Sequence, residues 1–233
     1  MYKRVIFITL FFFFVGLNYL SANVFYFSEA GFGVSLINSN GLNKITEGLN
    51  AGYGTSLSKI RDPLNFSGVI GVGFGRSKLG VEGVYEFASK SSYSSIYDVT
   101  EALGYSMETV GAKYQYEFFR SDRWSIFSSC SVGILFSSLS LSTDPYVVEA
   151  APYTMSGTGF SISPAVDFLY KATRRFGVVT SLSFRYAATG SFSYSDTTNR
   201  HSAGDNVVFA DGTGLTLNVS GLKFLVGITF NWS

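Results

Sequence analysis

Eight ionisable side chains, Glu29, Glu82, Glu86, Lys113, Glu117, Asp167, Arg185 and Lys223, sit in runs where polar and apolar residues alternate. In an extended strand successive side chains point to opposite faces, so each of these charges shares a face with small or polar residues while the opposite face is apolar. Charges enclosed together must meet one another or trapped water. Glu82 or Glu86 with Lys113, and Glu29 with Lys223, are the expected pairs. Their expected role is structural, and the alternative is the lining of a narrow solute path, because charged walls set the selectivity of pores.

Other chemistry is thinner. His201 is the sole histidine and stands beside Ser202 with Asp205 close by. Those residue types can make a nucleophile and its base, but they fall in a polar loop without a catalytic signature, so no catalytic residue is assigned. Gly71-Val72-Gly73-Phe74-Gly75 is glycine-rich, yet no helix follows it, and a phosphate site needs helix amides aimed at the ligand. Asn65-Phe66-Ser67 and Asn218-Val219-Ser220 fit a glycosylation sequon but lie at strand ends. The single cysteine, Cys130, precludes an internal disulfide and lies on an apolar face, where it acts as a small hydrophobe. No cluster with metal-ligand spacing and no cofactor motif is present, so none is expected.

The elements that carry these residues are strands. In the last stretch, Gly221 to Ser233, Leu222, Phe224, Val226, Ile228, Phe230 and Trp232 fall on one face, against Lys223, Gly227, Thr229 and Asn231 on the other. The same alternation recurs from Ala30 to Leu36, Phe66 to Gly75, Leu79 to Ala88, Thr109 to Phe118, Trp124 to Ser137, Phe160 to Tyr170 and Phe176 to Tyr186. Tight basic turns are expected at Arg76–Lys78, Arg120–Arg123 and Lys171–Arg175. Long connections are expected near 38–65, 90–106, 141–158 and 189–217. Leu49, Ala51 and Tyr53 alternate inside the first of these, which leaves room for a further hairpin and ten strands. Pro164 withholds a ladder hydrogen bond and predicts a bulge or bend. Leu215, Leu217 and Val219 have the opposite parity to Leu222 onward, which predicts a bulge near Ser220 or Gly221.

Composition decides where such strands reside. Aromatics make up 17% and charged residues only 14%, against ~25% charged in soluble domains. That is too little charge to cover a water-facing surface. Met1 to Ala22, with Lys3, Arg4, the apolar run Val5 to Val15 and the close Leu20-Ser21-Ala22, reads as a cleaved signal peptide, leaving residues 23–233 as one domain. Loss of the leader takes two bases from 17 and leaves near balance with 16 acids, which argues against a nucleic-acid surface. After the leader no apolar stretch of about twenty residues remains for a spanning helix. With helices excluded, a closed barrel is the structure that crosses a bilayer with every backbone group paired. The expectation is an all-β, eight-stranded antiparallel up-and-down transmembrane β-barrel with four long outer loops and three short periplasmic turns. Aromatics at strand ends, such as Phe87, Phe118, Trp124, Tyr170 and Tyr186, suit its interfacial girdles.

Gly227, Phe230 and Trp232 resemble the carboxy-terminal assembly signal of Gram-negative outer-membrane barrels, with Leu225 and Ser233 as departures. Leader, strand pattern and terminal motif together resemble the small barrels of the opacity-protein and bacterial surface-antigen type. That resemblance implies export to the bacterial outer membrane, contact with outer-membrane lipids and the barrel assembly machinery, and a non-enzymatic role. The barrel would be a platform whose outer loops meet a host or surface ligand and support envelope integrity. Tyr93, Tyr97, Tyr105, Tyr146, Tyr153 and Tyr194 are the expected loop contacts, since Tyr offers large area at low entropic cost. The alternatives are a passive small-solute channel, as in a porin, and a lipid-modifying enzyme that would depend on His201.

Overall fold

A computed structural model describes residues 24–95, 99–143, 153–197, 202–209 and 211–232. The expected leader, Met1 to Ala22, lies outside them. Eight long strands form the sheet: β1 Val24–Asn38, β2 Leu64–Phe74, β3 Ser77–Ser94, β4 Val99–Arg120, β5 Trp124–Thr143, β6 Tyr153–Lys171, β7 Phe176–Thr189 and, after the two-residue β8 Ser193–Tyr194, β9 Ser220–Trp232. Each pairs antiparallel with its neighbour, and β9 returns to β1, with Trp232 opposite Tyr26 and Ser220 opposite Asn38. The sheet is closed. The eight-stranded up-and-down transmembrane β-barrel expected from the alternation is therefore the fold. Among the described residues no helix is long and apolar enough to cross a membrane.

The first connection holds a helix instead of a further hairpin. Helix α1, Asn40–Tyr53, starts where Ser39, at φ −134°, accepts a hydrogen bond from the Leu42 amide at 3.4 Å, and stops at Gly54, which takes the left-handed φ of 63°. Leu42, Ile45 and Leu49 recur at three and four residues and pack inward. Their helical period outweighs the local alternation of Leu49 and Ala51, so the strand count stays at eight.

Two corrections concern strand length and register. The stretch 90–106, expected as a long outer loop, is mostly strand: β3 and β4 pair without interruption up to Ser94 opposite Val99, and only residues 95–98 connect them. The third connection likewise shortens to residues 144–152, which lie outside the described set. No bulge occurs at Ser220 or Gly221, because the β1–β9 register runs unbroken from Tyr26↔Trp232 to Asn38↔Ser220. The one register shift in the β4–β5 ladder lies between Glu117 and Phe119. At Pro164 the β5 register is continuous, while pairing with β7 passes from Ile162 to Ala165 and omits the proline.

These differences share one physical cause. Over the belt, the outward residues are apolar: Ile70, Val81, Val110, Ile134, Phe160 and Ile228 are each more than half exposed. Their inward neighbours are charged or small. Above the row of Phe87, Phe136 and Phe160 the chemistry of the two faces exchanges without any change of parity. There Leu103, Tyr105, Met107, Leu135, Leu139 and Met155 point inward and are buried, while Ser91, Ser140, Ser142, Ser156 and Thr158 point outward. Leu215, Leu217 and Val219 join the same inner cluster, which α1 and Phe192 complete. Strand β4, at 22 residues, is about twice the length a tilted span requires, and its surplus covers a core of its own.

The exchange is directly testable with single cysteines in a Cys130→Ser background. In refolded proteoliposomes a polar maleimide is expected to label Ser140→Cys at least ~10-fold faster than Val132→Cys, because no water reaches the hydrocarbon belt. Equal rates would place both positions in the same medium.

Candidate functional site

The eight charges singled out above are all buried. They form tiers along the lumen. At the end with the tight turns, Lys78 Nζ lies 4.6 Å and 4.9 Å from the ring centres of Phe27 and Phe127, and 3.4 Å from Glu29 Oε1. Beside it Glu117 pairs with Arg120, whose Nη2 also donates to the Gly75 carbonyl at 3.0 Å. In the middle tier Lys113 Nζ lies 3.3 Å from Asp167 Oδ2 and 3.8 Å from Glu29 Oε2, and Gln115 Nε2 donates to Asp167 Oδ2 at 2.8 Å. The upper tier joins Arg185 Nη1 to Glu86 Oε1 at 2.5 Å. Arg185 Nε donates to the Val219 carbonyl at 3.1 Å, and Ser35 Oγ donates to Glu86 Oε1 at 2.8 Å. Glu82 and Lys223 flank a void of about 10 Å³ between these tiers, room for about one water.

The expected partners are exchanged. Glu82 and Glu86 do not pair with Lys113, nor Glu29 with Lys223. In the ladders Glu82 faces Gly111, Glu29 faces Thr229 and Lys223 faces Ser35. Adjacent strands are staggered in a tilted barrel, so side chains meet across the lumen at equal height, as Lys113 of β4 meets Asp167 of β6 and Glu29 of β1. In the sequence Lys78 reads as part of a turn. The turn is in fact the pair Gly75-Arg76, with Gly75 at φ 61°, and Lys78 already points inward from β3.

Above the charges the lumen is closed a second time. Leu42 and Ile45 of α1, Ile60, Phe192, Val207, Leu215 and Leu217 pack against the inward faces of β4, β5 and β6. An ion pair of 3.7 Å between Lys44 and Asp211 ties the helix to the last connection on the outside. The lumen therefore holds a mostly ion-paired polar column, with Glu82 and Lys223 at its void, beneath a mainly apolar plug.

The expected loop contacts divide. Tyr93 is 58% exposed near the tip of the β3–β4 hairpin. Tyr153 and Tyr194 are half-buried, with ring centres 6.3 Å apart in an edge-on arrangement. Tyr105 is no surface contact: it is 2% exposed inside the upper barrel, where its hydroxyl donates to Met107 Sδ at 3.4 Å. Tyr97 and Tyr146 lie outside the described residues, as does His201. Next to the histidine, the Asp205 carboxylate accepts the Ser202 amide at 2.8 Å and closes a turn. Of the terminal motif, Gly227 opposes Gly31 and Val179, and the rings of Phe230 and Trp232 lie 5.4 Å apart on the outer face.

No family model and no curated protein matches this sequence. Solved structures do. A major outer membrane protein from Thermus thermophilus aligns with TM-score 0.56 at 10% identity, over 91% of this chain and 100% of that one. Neisserial surface protein A aligns with TM-score 0.49 at 10% identity, over 90% and 99%. Ail, the attachment invasion locus protein of Yersinia pestis, solved with the heparin analogue sucrose octasulfate, aligns with TM-score 0.44 at 12% identity, over 91% and 100%. At such identity the likeness concerns the fold.

The upper ion pair supplies a measurable coupling. Glu86→Gln strands a buried guanidinium and is expected to cost roughly 3–5 kcal/mol, whereas Glu86→Leu with Arg185→Met should cost less than either single change. Urea titrations of the folded band on unboiled gels measure this, and additive losses would show that the pair is not coupled.

Proposed function

We propose that this chain, which has the fold of the small outer-membrane β-barrels, is an outer-membrane surface platform that presents rigid, water-exposed hairpins for contact with an external ligand. The carrying observation is the doubly closed lumen: Lys113, Asp167, Glu29, Glu86 and Arg185 occupy one another, and the plug around Leu42 and Phe192 covers them. An interior so filled offers no solute path among the described residues, which favours the platform over the passive channel. The upper halves of β3 to β6 then account for the remaining length. They stand clear of the belt with Tyr93 and a row of Ser and Thr hydroxyls outward, a surface suited to adaptable hydrogen bonding around aromatic anchors.

Export by a cleaved leader, with Asn23 as the first mature residue, and insertion by the assembly machinery through Gly227, Phe230 and Trp232 belong to the same reading. It places the tight turns in the periplasm and α1 outside. No catalytic group is assigned.

Purified protein in planar bilayers is expected to be electrically silent; steady, size-selective currents would overturn the platform in favour of the channel. Displayed on a non-adherent bacterium, the intact barrel is expected to raise retention on epithelial monolayers severalfold, and Tyr93→Ala to reduce it with unchanged barrel yield. Retention equal to that of the empty strain would remove the adhesive reading.

A further inference from the structure

The rim of the barrel is oblique. β3 to β6 run on well past the belt, whereas β1 and β9 end two residues beyond the row where Leu36 opposes Leu222 and Leu222 opposes Phe184. On this low side a lateral groove of about 600 Å³ opens on the outer surface. Its floor is Leu36, Phe184 and Leu222, which are 59%, 37% and 47% exposed. Two residue pairs higher, on the same face, the chemistry changes, with Asn38 opposite Ser220 and with Asn218 beside them. Arg61 overhangs the groove, because its carbonyl accepts the Ile37 amide at 2.8 Å and so holds the segment alongside β1.

The height and the charge of this groove define its occupant. On the reading that places α1 outside the cell, the apolar floor would meet acyl chains and the amide side chains and the guanidinium would meet headgroups. Arg61 is the sole ionisable residue among those that line it. Among the described residues no carboxylate sits within ion-pairing distance of Arg61, and its neighbour Asp62 is engaged by Lys90 at 3.8 Å. A planar guanidinium beside amide donors matches phosphate oxygens.

We infer that this groove binds an anionic, phosphate-bearing lipid of the outer leaflet, with its chains on Leu36, Phe184 and Leu222 and its headgroup against Arg61. The inference rests on the reading that places α1 and the plug outside the cell. It adds a specific annular site to the mainly apolar outer face.

The test uses the whole barrel refolded into lipid-free neutral detergent. Phosphatidylglycerol or phosphatidylcholine is then added, and retained lipid is counted by native mass spectrometry. Phosphatidylglycerol is expected to be retained severalfold over phosphatidylcholine. Arg61→Gln should abolish that preference, while Arg175→Gln, in an exposed turn at the opposite end, should leave it intact. Excess inorganic phosphate should fail to displace the lipid. Equal retention of the two lipids, a preference that survives Arg61→Gln, or complete displacement by inorganic phosphate would each overturn the site. Heat-modifiable migration of every variant is checked in parallel; a wild-type chain without a folded band would strike the membrane reading itself, and the lipid site with it.

Discussion

The structure depends on what touches the outside of each strand. Where acyl chains surround the barrel, an outward polar group would lose its water, so the outer face is Ile, Val, Phe and Trp and the enclosed face takes the charges. Where water surrounds it, the outer face is free to be Ser and Thr, and the hydrophobic effect sends Leu103, Leu135 and Leu139 inward. One uninterrupted ladder serves both media. The exchange of faces between Val110, which looks outward, and Met107, which looks inward, costs no hydrogen bond because the parity never changes.

Lumen size explains the rest of the interior. An eight-stranded barrel leaves room for side chains and little else, so carboxylates and cations that enter it must be mutually satisfied. Lys113 does this by reaching two acids on different strands, Glu29 and Asp167, and Arg185 by dividing its donors between Glu86 and the Val219 carbonyl. Glycine permits the tight wall. A Cβ at Gly33 would stand 1.8 Å from the Phe224 carbonyl oxygen, and one at Gly221 would stand 1.9 Å from that of Leu36. Close strand approach of this kind is why small residues crowd the enclosed face.

Much of this was legible from residue order alone, and the failures are instructive. Alternation located all eight strands and assigned Glu82, Asp167 and Lys223 to the enclosed side, because a period of two is local information. Pairing across the lumen is not local. It follows from tilt and stagger, so Lys113 found Asp167, more than fifty positions away in the chain, instead of an acid on the adjacent strand. The upper strands read as loops in the sequence because a rule that equates apolar with outward fails once the solvent changes. Leu215, Leu217 and Val219 share the odd-numbered, inward parity of Lys223 and Leu225 and pack into the upper core. Helix α1 was hidden for another reason: its apolar face is only Leu42, Ile45 and Leu49, set among Asn, Gly and Thr, which favour turns when read singly.

The two-medium design also bears on what the exposed end is built to do. A transmembrane barrel needs only its belt, yet β4 and β5 run on to 22 and 20 residues and are braced inside by packed Leu, Met and Tyr. Bracing of that kind removes conformational freedom before any ligand arrives, which lowers the entropic cost of recognition. The braced outer face is also sparing in charge: Ser91, Tyr93, Ser140, Ser142, Ser156 and Thr158 are neutral, and the neighbouring Glu101 is turned inward and buried. These described strands therefore offer little long-range steering by charge, and under the proposed contact role selectivity would rest on shape and short-range hydrogen bonds. Under the proposed reading, a channel would gain nothing from a hydroxyl-bearing sheet above a lumen that the described residues fill, whereas a contact platform would use one.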